Sequence, residues 1–153
     1  MPAADPNDLV QQVSRPIIVV LPAARWLNLR RVLVTWKDVT EARRAVFNCL
    51  LILAAAKDVS FAEIPEKGSN YSDPLSHVDD VAVWLLSQVI VANTIVPKVK
   101  GNAAEQLDEL TADIGAGLVI AGVYCYSRFR EWILGSVAGH LATQPRRCSF
   151  LSR

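Results

Sequence analysis

Gly122, Cys125, Gly135 and Ser136 are spaced in a way that suits the binding of an anion. They lie in the stretch AGLVIAGVYCYSRFREWILGSVAGHL, residues 116–141. This stretch opens as a short apolar strand, breaks at Gly122, passes through a polar turn and closes as a helix after Gly135-Ser136. A glycine after a strand lets backbone approach a ligand, and the free N–H groups of a helix start favour negative charge. Strand, glycine and helix also describe an ordinary βα turn, so the spacing carries more information than the order. Gly122 is followed by two residues, Cys125, nine residues and then Gly135-Ser136. A second cluster, Trp36-Lys37-Asp38, closes another apolar run. The Lys37 ammonium only donates, so it suits a phosphate and cannot accept a bond from a sugar hydroxyl. Ser127, Arg128 and Arg130 add polar and positive groups within the first loop.

The other candidate groups have plainer readings. Cys125 is either a reactive thiol near a helix start, where thiolate is favoured, or a partly buried replacement for glycine; the replacement is the simpler reading. His77 and His140 lack partners at metal-ligand spacing and read as surface or internally satisfied histidines. Glu41, Asp79 and Asp80 read as a solvated helix face rather than an acid pair. Trp36, Trp84 and Trp132 read as packing between sheet and helices, with Trp36 at a strand end that faces the expected pocket. Ser136 works as a helix cap with or without a phosphate. No general base, activated nucleophile or metal-ligand set emerges, so no catalytic or metal residue is assigned.

These residues need a frame to hold them. Strand candidates are residues 17–22 (IIVVLP, bounded by Pro16 and Pro22), 31–36 (RVLVTW), 59–64 (VSFAEI), 89–99 (trimmed by Pro97), 118–121 and 149–152. Helical spacing appears as a turn at 8–13, then from a Thr40 cap to about residue 56, then at 77–88, 102–114 and after Ser136. The first long helix carries the stripe Ala42, Ala45, Val46, Cys49, Leu50 and Leu53; the third carries Ala103, Leu107, Leu110 and Ile114, with Gly115 as its stop. Residues 65–74 form a turn-rich loop. From Arg31 onward strands alternate with helices, which predicts an α/β fold with a parallel sheet covered on both faces. Ligands of such sheets sit at the carboxyl ends of the strands, at the topological switch point, where the 36–38 and 122–136 loops should meet.

The chain has 153 residues, enough for one domain, and 52% of them are hydrophobic. A net charge of +1, with no basic run interleaved with aromatics, speaks against a nucleic-acid binder. Three widely spaced cysteines form neither a metal pattern nor an even disulfide set, which fits a reducing compartment. The longest apolar run, around residues 46–56, is too short to span a bilayer, and the start MPAADPNDL lacks a basic-then-apolar signal pattern. The expectation is a cytoplasmic protein that binds neither membrane nor nucleic acid.

The Gly122-to-Ser136 spacing resembles the universal stress protein family, whose ATP-binding members carry Gly-x-x-Gly, nine residues and Gly-Ser/Thr here. The resemblance extends to RRVLVTWKDVTEARRAV at 30–46, similar to the first strand and helix of such domains, which often read VAWDGSREARRAV. It also takes in DVAVWL at 80–85 and SRFREWILGSV at 127–137. It thus covers residues 30–153 and implies a three-layer Rossmann-like domain with an open, parallel, five-stranded sheet and helices on both faces. VSRPIIVVLPAARWLNLRRV looks like the end of one such domain joined to the start of the next. Residues 1–29 are therefore expected to be an extension, with an extra strand, like the tail of a preceding domain. The family's last strands pair antiparallel, so the strand near Ile17 is expected to pair with 149–152, in the same chain or across a homodimer.

The resemblance implies a regulatory domain that binds ATP, with magnesium, and hydrolyses it slowly or not at all. The implied site comprises Trp36, Lys37, Asp38, Gly122, Cys125, Ser127, Arg128, Gly135 and Ser136. This chain departs from the family pattern in several places. Lys37 occupies the acidic position, Cys125 replaces the second glycine, Tyr126 follows it, and Gly117 replaces the leading Asp of the strand. A positive φ at Cys125 would cost about 1 kcal/mol or more. The alternative is a dimeric interaction module of the same fold that binds no nucleotide.

Overall fold

The computed structural model describes residues 6–13, 15–37, 39–64, 74–98, 101–123, 125–126, 133–134, 136–143 and 146–153. A helix α1 (Pro6–Gln12) leads into a three-residue strand β1 (Ile17–Val19). The apolar run RVLVTW then forms β2 (Arg31–Trp36), followed by α2 (Thr40–Asn48), α3 (Leu50–Ala55) and β3 (Asp58–Glu63). Next come α4 (Pro74–Ser87), β4 (Ala92–Ile95), α5 (Ala103–Ile114) and β5 (Leu118–Gly122). Two short strands, β6 (Cys125–Tyr126) and β7 (Ile133–Leu134), precede α6 (Ser136–Thr143) and β8 (Cys148–Ser152).

Six strands lie in the order β1-β8-β5-β2-β3-β4. The five from β8 to β4 are parallel, as their alternation with helices requires, and β1 joins β8 antiparallel. The register places Ile17 opposite Leu151 and Val19 opposite Ser149 within one chain. Pairing with β1 covers the outer edge of β8, which would otherwise expose unpaired backbone groups.

The pleat of the strands sorts the core into two layers. Val32, Val34, Trp36, Phe61, Leu118, Ile120 and Phe150 face α2, α3 and α4. Leu33, Ala62, Val119, Ala121 and Leu151 face α1, α5 and α6. The central strands read as near-continuous apolar runs because both of their faces are buried. Among the described residues, no helix is long and apolar enough to cross a membrane.

Two helix ends share one hydrogen-bond design. At the end of α5 the Gly115 N–H donates to Ala112 O and the Ala116 N–H to Thr111 O, with Gly115 at φ 68°. This is a Schellman stop, and glycine fits its left-handed residue without strain. At the end of α4 the Val89 N–H donates to Leu86 O and the Ile90 N–H to Leu85 O. Val89 takes the glycine's role at φ 62°, where a β-branched residue is an outlier. The motif survives because Ile90 and Leu85 are both buried against each other's layer. This turn also shortens the strand expected over 89–99 to Ala92–Ile95.

Two local expectations are corrected. Thr40 does not cap α2. The cap is Val39, in extended backbone with no side-chain bond. The Val39 N–H donates to Lys37 O at 2.7 Å, and this tight turn brings the chain to the cap position one residue early. The helix expected over 40–56 divides at Cys49, whose φ −106° and ψ 12° are not helical. Cys49 is fully buried, and its thiol donates to Val46 O at 3.4 Å.

Val89→Gly is expected to raise the unfolding free energy by about 1 kcal/mol, whereas Gly115→Val should lower it by at least that amount, both measured by urea denaturation. Burial pushes the Cys49 thiol from 9.0 up to about 12. The folded state therefore keeps its proton to higher pH than the unfolded chain. This contribution to stability is intact below 9.0 and is lost as pH rises towards about 12. Unfolding curves across that window should show a shallower alkaline decline for Cys49→Ala than for the parent; identical slopes would contradict this assignment.

Candidate functional site

From β2 the chain moves one way through β3 to β4, then crosses back to β5 and β8 on the other side. The direction of winding reverses between β2 and β5, so their carboxyl ends diverge and leave a crevice. Thr35 bridges the two strands just below it, its hydroxyl donating to Ile120 O at 3.2 Å. Above Thr35 lies a cavity of about 30 Å³ whose lining includes Trp36, Lys37, Ile64, Gly122 and Val137. The ends of β2, β3 and β5 and the first turn of α6 therefore converge there, and the cavity has room for about one water.

The structure brings three of the predicted positions to this place, Trp36, Lys37 and Gly122, while Ser136 is the first residue of α6, next to the lining residue Val137. Trp36 is only 7% exposed and packs on Phe61 with ring centroids 6.2 Å apart. Among the described residues its indole N–H has no acceptor. Lys37 is half-buried on the cavity wall. Cys125 belongs to β6, in register with Leu134 of β7, so the expected loop contains a short antiparallel ribbon. Asp38, Ser127, Arg128 and Gly135 lie outside the described residues, as does Trp132.

Gly122 has a reason to be glycine besides the one its spacing suggested. A Cβ there would stand 2.6 Å from Ala42 N and 2.7 Å from Glu41 C, in the first turn of α2. The backbone it approaches is that of the protein's own helix. Gly117 is also a packing position, since its Cβ would run into the carbonyl of Asn28. It precedes β5, at the opposite end of the sheet from the crevice, so the departure there does not bear on the site.

Thr35, Ile64 and Val137 escaped the sequence reading. The last two directly follow Glu63 and Ser136, and only the convergence of three strand ends identifies them. His140 is a satisfied histidine, as expected: its Nε2 lies 3.1 Å from both oxygens of Asp108, and Arg146 Nε is 3.6 Å from Asp108. This group ties α5 to α6 and to the approach of β8. Among the described residues, no three acidic, His or Cys side chains are grouped to hold a metal.

Neither a protein-family model nor a curated protein sequence matches the chain. Solved structures do match it. A protein from the universal stress protein family of Burkholderia pseudomallei aligns with a TM-score of 0.62 at 18% identity, over 80% of this chain and 95% of that one. A universal stress protein from Archaeoglobus fulgidus DSM 4304 aligns with a TM-score of 0.76 at 14% identity, over 96% of this chain and 54% of that one. The present chain thus spans about half the length of that protein. The universal stress protein UspA from Lactobacillus plantarum gives 0.62 at 11% identity, over 82% and 98% of the two chains.

Gly122→Ala should destabilise the fold by about 1–3 kcal/mol in urea unfolding, because the contact it creates is with helix backbone that cannot rotate away. A stability equal to the parent's would return Gly122 to the role of ligand contact.

Proposed function

From the universal stress protein fold that the chain has, we propose that it is a regulatory domain binding an adenine nucleotide at the crevice between β2 and β5. The observation that carries this reading is the convergence of Lys37, the end of β5 and the start of α6 at the topological switch point. In this reading Lys37 faces phosphate rather than ribose, which fits an ammonium where the family has a carboxylate. Ser136 and the amide groups at the start of α6 hold further phosphate oxygens, with magnesium accompanying ATP. The cavity of about 30 Å³ is the floor of this site, and the ligand lies outward from it. No residue is assigned to hydrolysis.

The N-terminal segment 1–29 belongs, in this proposal, to the tail of a preceding domain of the same kind. The longer Archaeoglobus structure supports it, covering 96% of the chain against 80% and 82% for the two shorter relatives. A second reading, a module of the same fold that pairs with a second copy and binds no nucleotide, is favoured by one observation. Gly122 is occupied by helix packing, and the cavity beside it is small.

Calorimetry with ATP, with and without magnesium, on protein stripped of ligand tests both. We expect binding that weakens about tenfold or more in Lys37→Ala, the loss of one charge-assisted contact. No heat with ATP, ADP or AMP, together with a light-scattering mass of two chains, would overturn the nucleotide reading in favour of the pairing module.

A further inference from the structure

We infer a second binding site, for a planar aromatic carboxylate, in the groove between α2 and α4. Helix α2 packs over β5 and β8, and α4 over β3 and β4. Between the two helices, above Trp36 at the end of β2, lies a cavity of about 560 Å³. That is within the range of small-molecule sites and far larger than the voids of a close-packed interior.

Four features of the lining indicate what it takes. Phe47 of α2 and Trp84 of α4 contribute aromatic rings that remain 67% and 40% exposed. Both residues depart from what a helix of this fold needs. Phe47 lies off the buried stripe of α2, and Trp84 is not packed between sheet and helix as its type suggests. Rings left open to water on two walls of one groove suit a flat apolar body between them. Trp36, in the strand below, closes the floor of the groove and is only 7% exposed. Arg44 also lines the groove. Its exposed guanidinium selects an anionic head and also stacks on aromatic rings. This site lies on the α2 and α4 face of the sheet, adjoins the crevice at Trp36, and does not depend on nucleotide binding.

The test uses 2-naphthoate as probe and the uncharged 2-naphthalenemethanol as its control, read by calorimetry and by quenching of tryptophan fluorescence. We expect one site per chain, with the alcohol about tenfold weaker than the acid, a loss matched by Arg44→Gln and by Trp84→Ser. Arg44 and Trp84 are exposed, so both variants are expected to fold, which circular dichroism is to check. Equal binding of acid and alcohol, indifference to both substitutions, or no binding would each overturn the proposal. Displacement of the probe by ATP would do the same, by placing the probe in the nucleotide crevice. Self-association that Trp84→Ser abolishes, without probe binding, would assign the groove to a second copy of the chain and overturn it as well.

Discussion

The first turn of α2 rests directly on the backbone of β5 at Gly122, and much of the molecule follows from that approach. A side chain at this point would push the helix outward by the thickness of a methyl group. With glycine, α2 lies over β5 and β8 rather than over the strand it has just left. Its far end is then close enough to β8 for the Asn48 amide to donate to the Ser152 hydroxyl at 2.9 Å. The chain must travel back from there to reach β3. It does so through the break at Cys49 and the short α3, burying a thiol in the process. The groove between α2 and α4, above Trp36, is the other side of the same displacement.

Much of the fold could be read from side-chain pattern alone. The β-branched runs at 31–36 and 118–121 mark strands buried on both faces, and Asn102 with Gly115 brackets α5 as a cap and a stop should. The misreadings share a cause. Whether Thr40 or Val39 caps α2 depends on a backbone turn at Lys37, and the break at Cys49 depends on where β8 lies. Val89 hides a helix stop, since nothing in a valine announces a left-handed residue.

The candidate site was legible as a place and less so as a set of roles. Lys37 and Gly122 line one cavity with Val137 of α6, because strand order and crossover direction dictate where loops meet. The role of Gly122 was not legible, because spacing cannot distinguish a glycine that admits a ligand from one that admits a helix. Gly117 shows the same limit at the other end of the strand. The groove between α2 and α4 was not legible at all. It arises from the offset between two helices, and its aromatic residues look like ordinary core in a linear reading.

The pairing of β1 with β8 has a mechanical consequence. Ile17 enters the sheet opposite Leu151, so the chain arrives and departs at the same end of this strand pair. Tension applied along the chain from both sides would open the pair one hydrogen bond at a time, as a zipper opens, instead of shearing all its bonds together. The parallel neighbour β5 meets β8 with the opposite geometry, and its bonds would share the load. The edge strand therefore works as a low-force release.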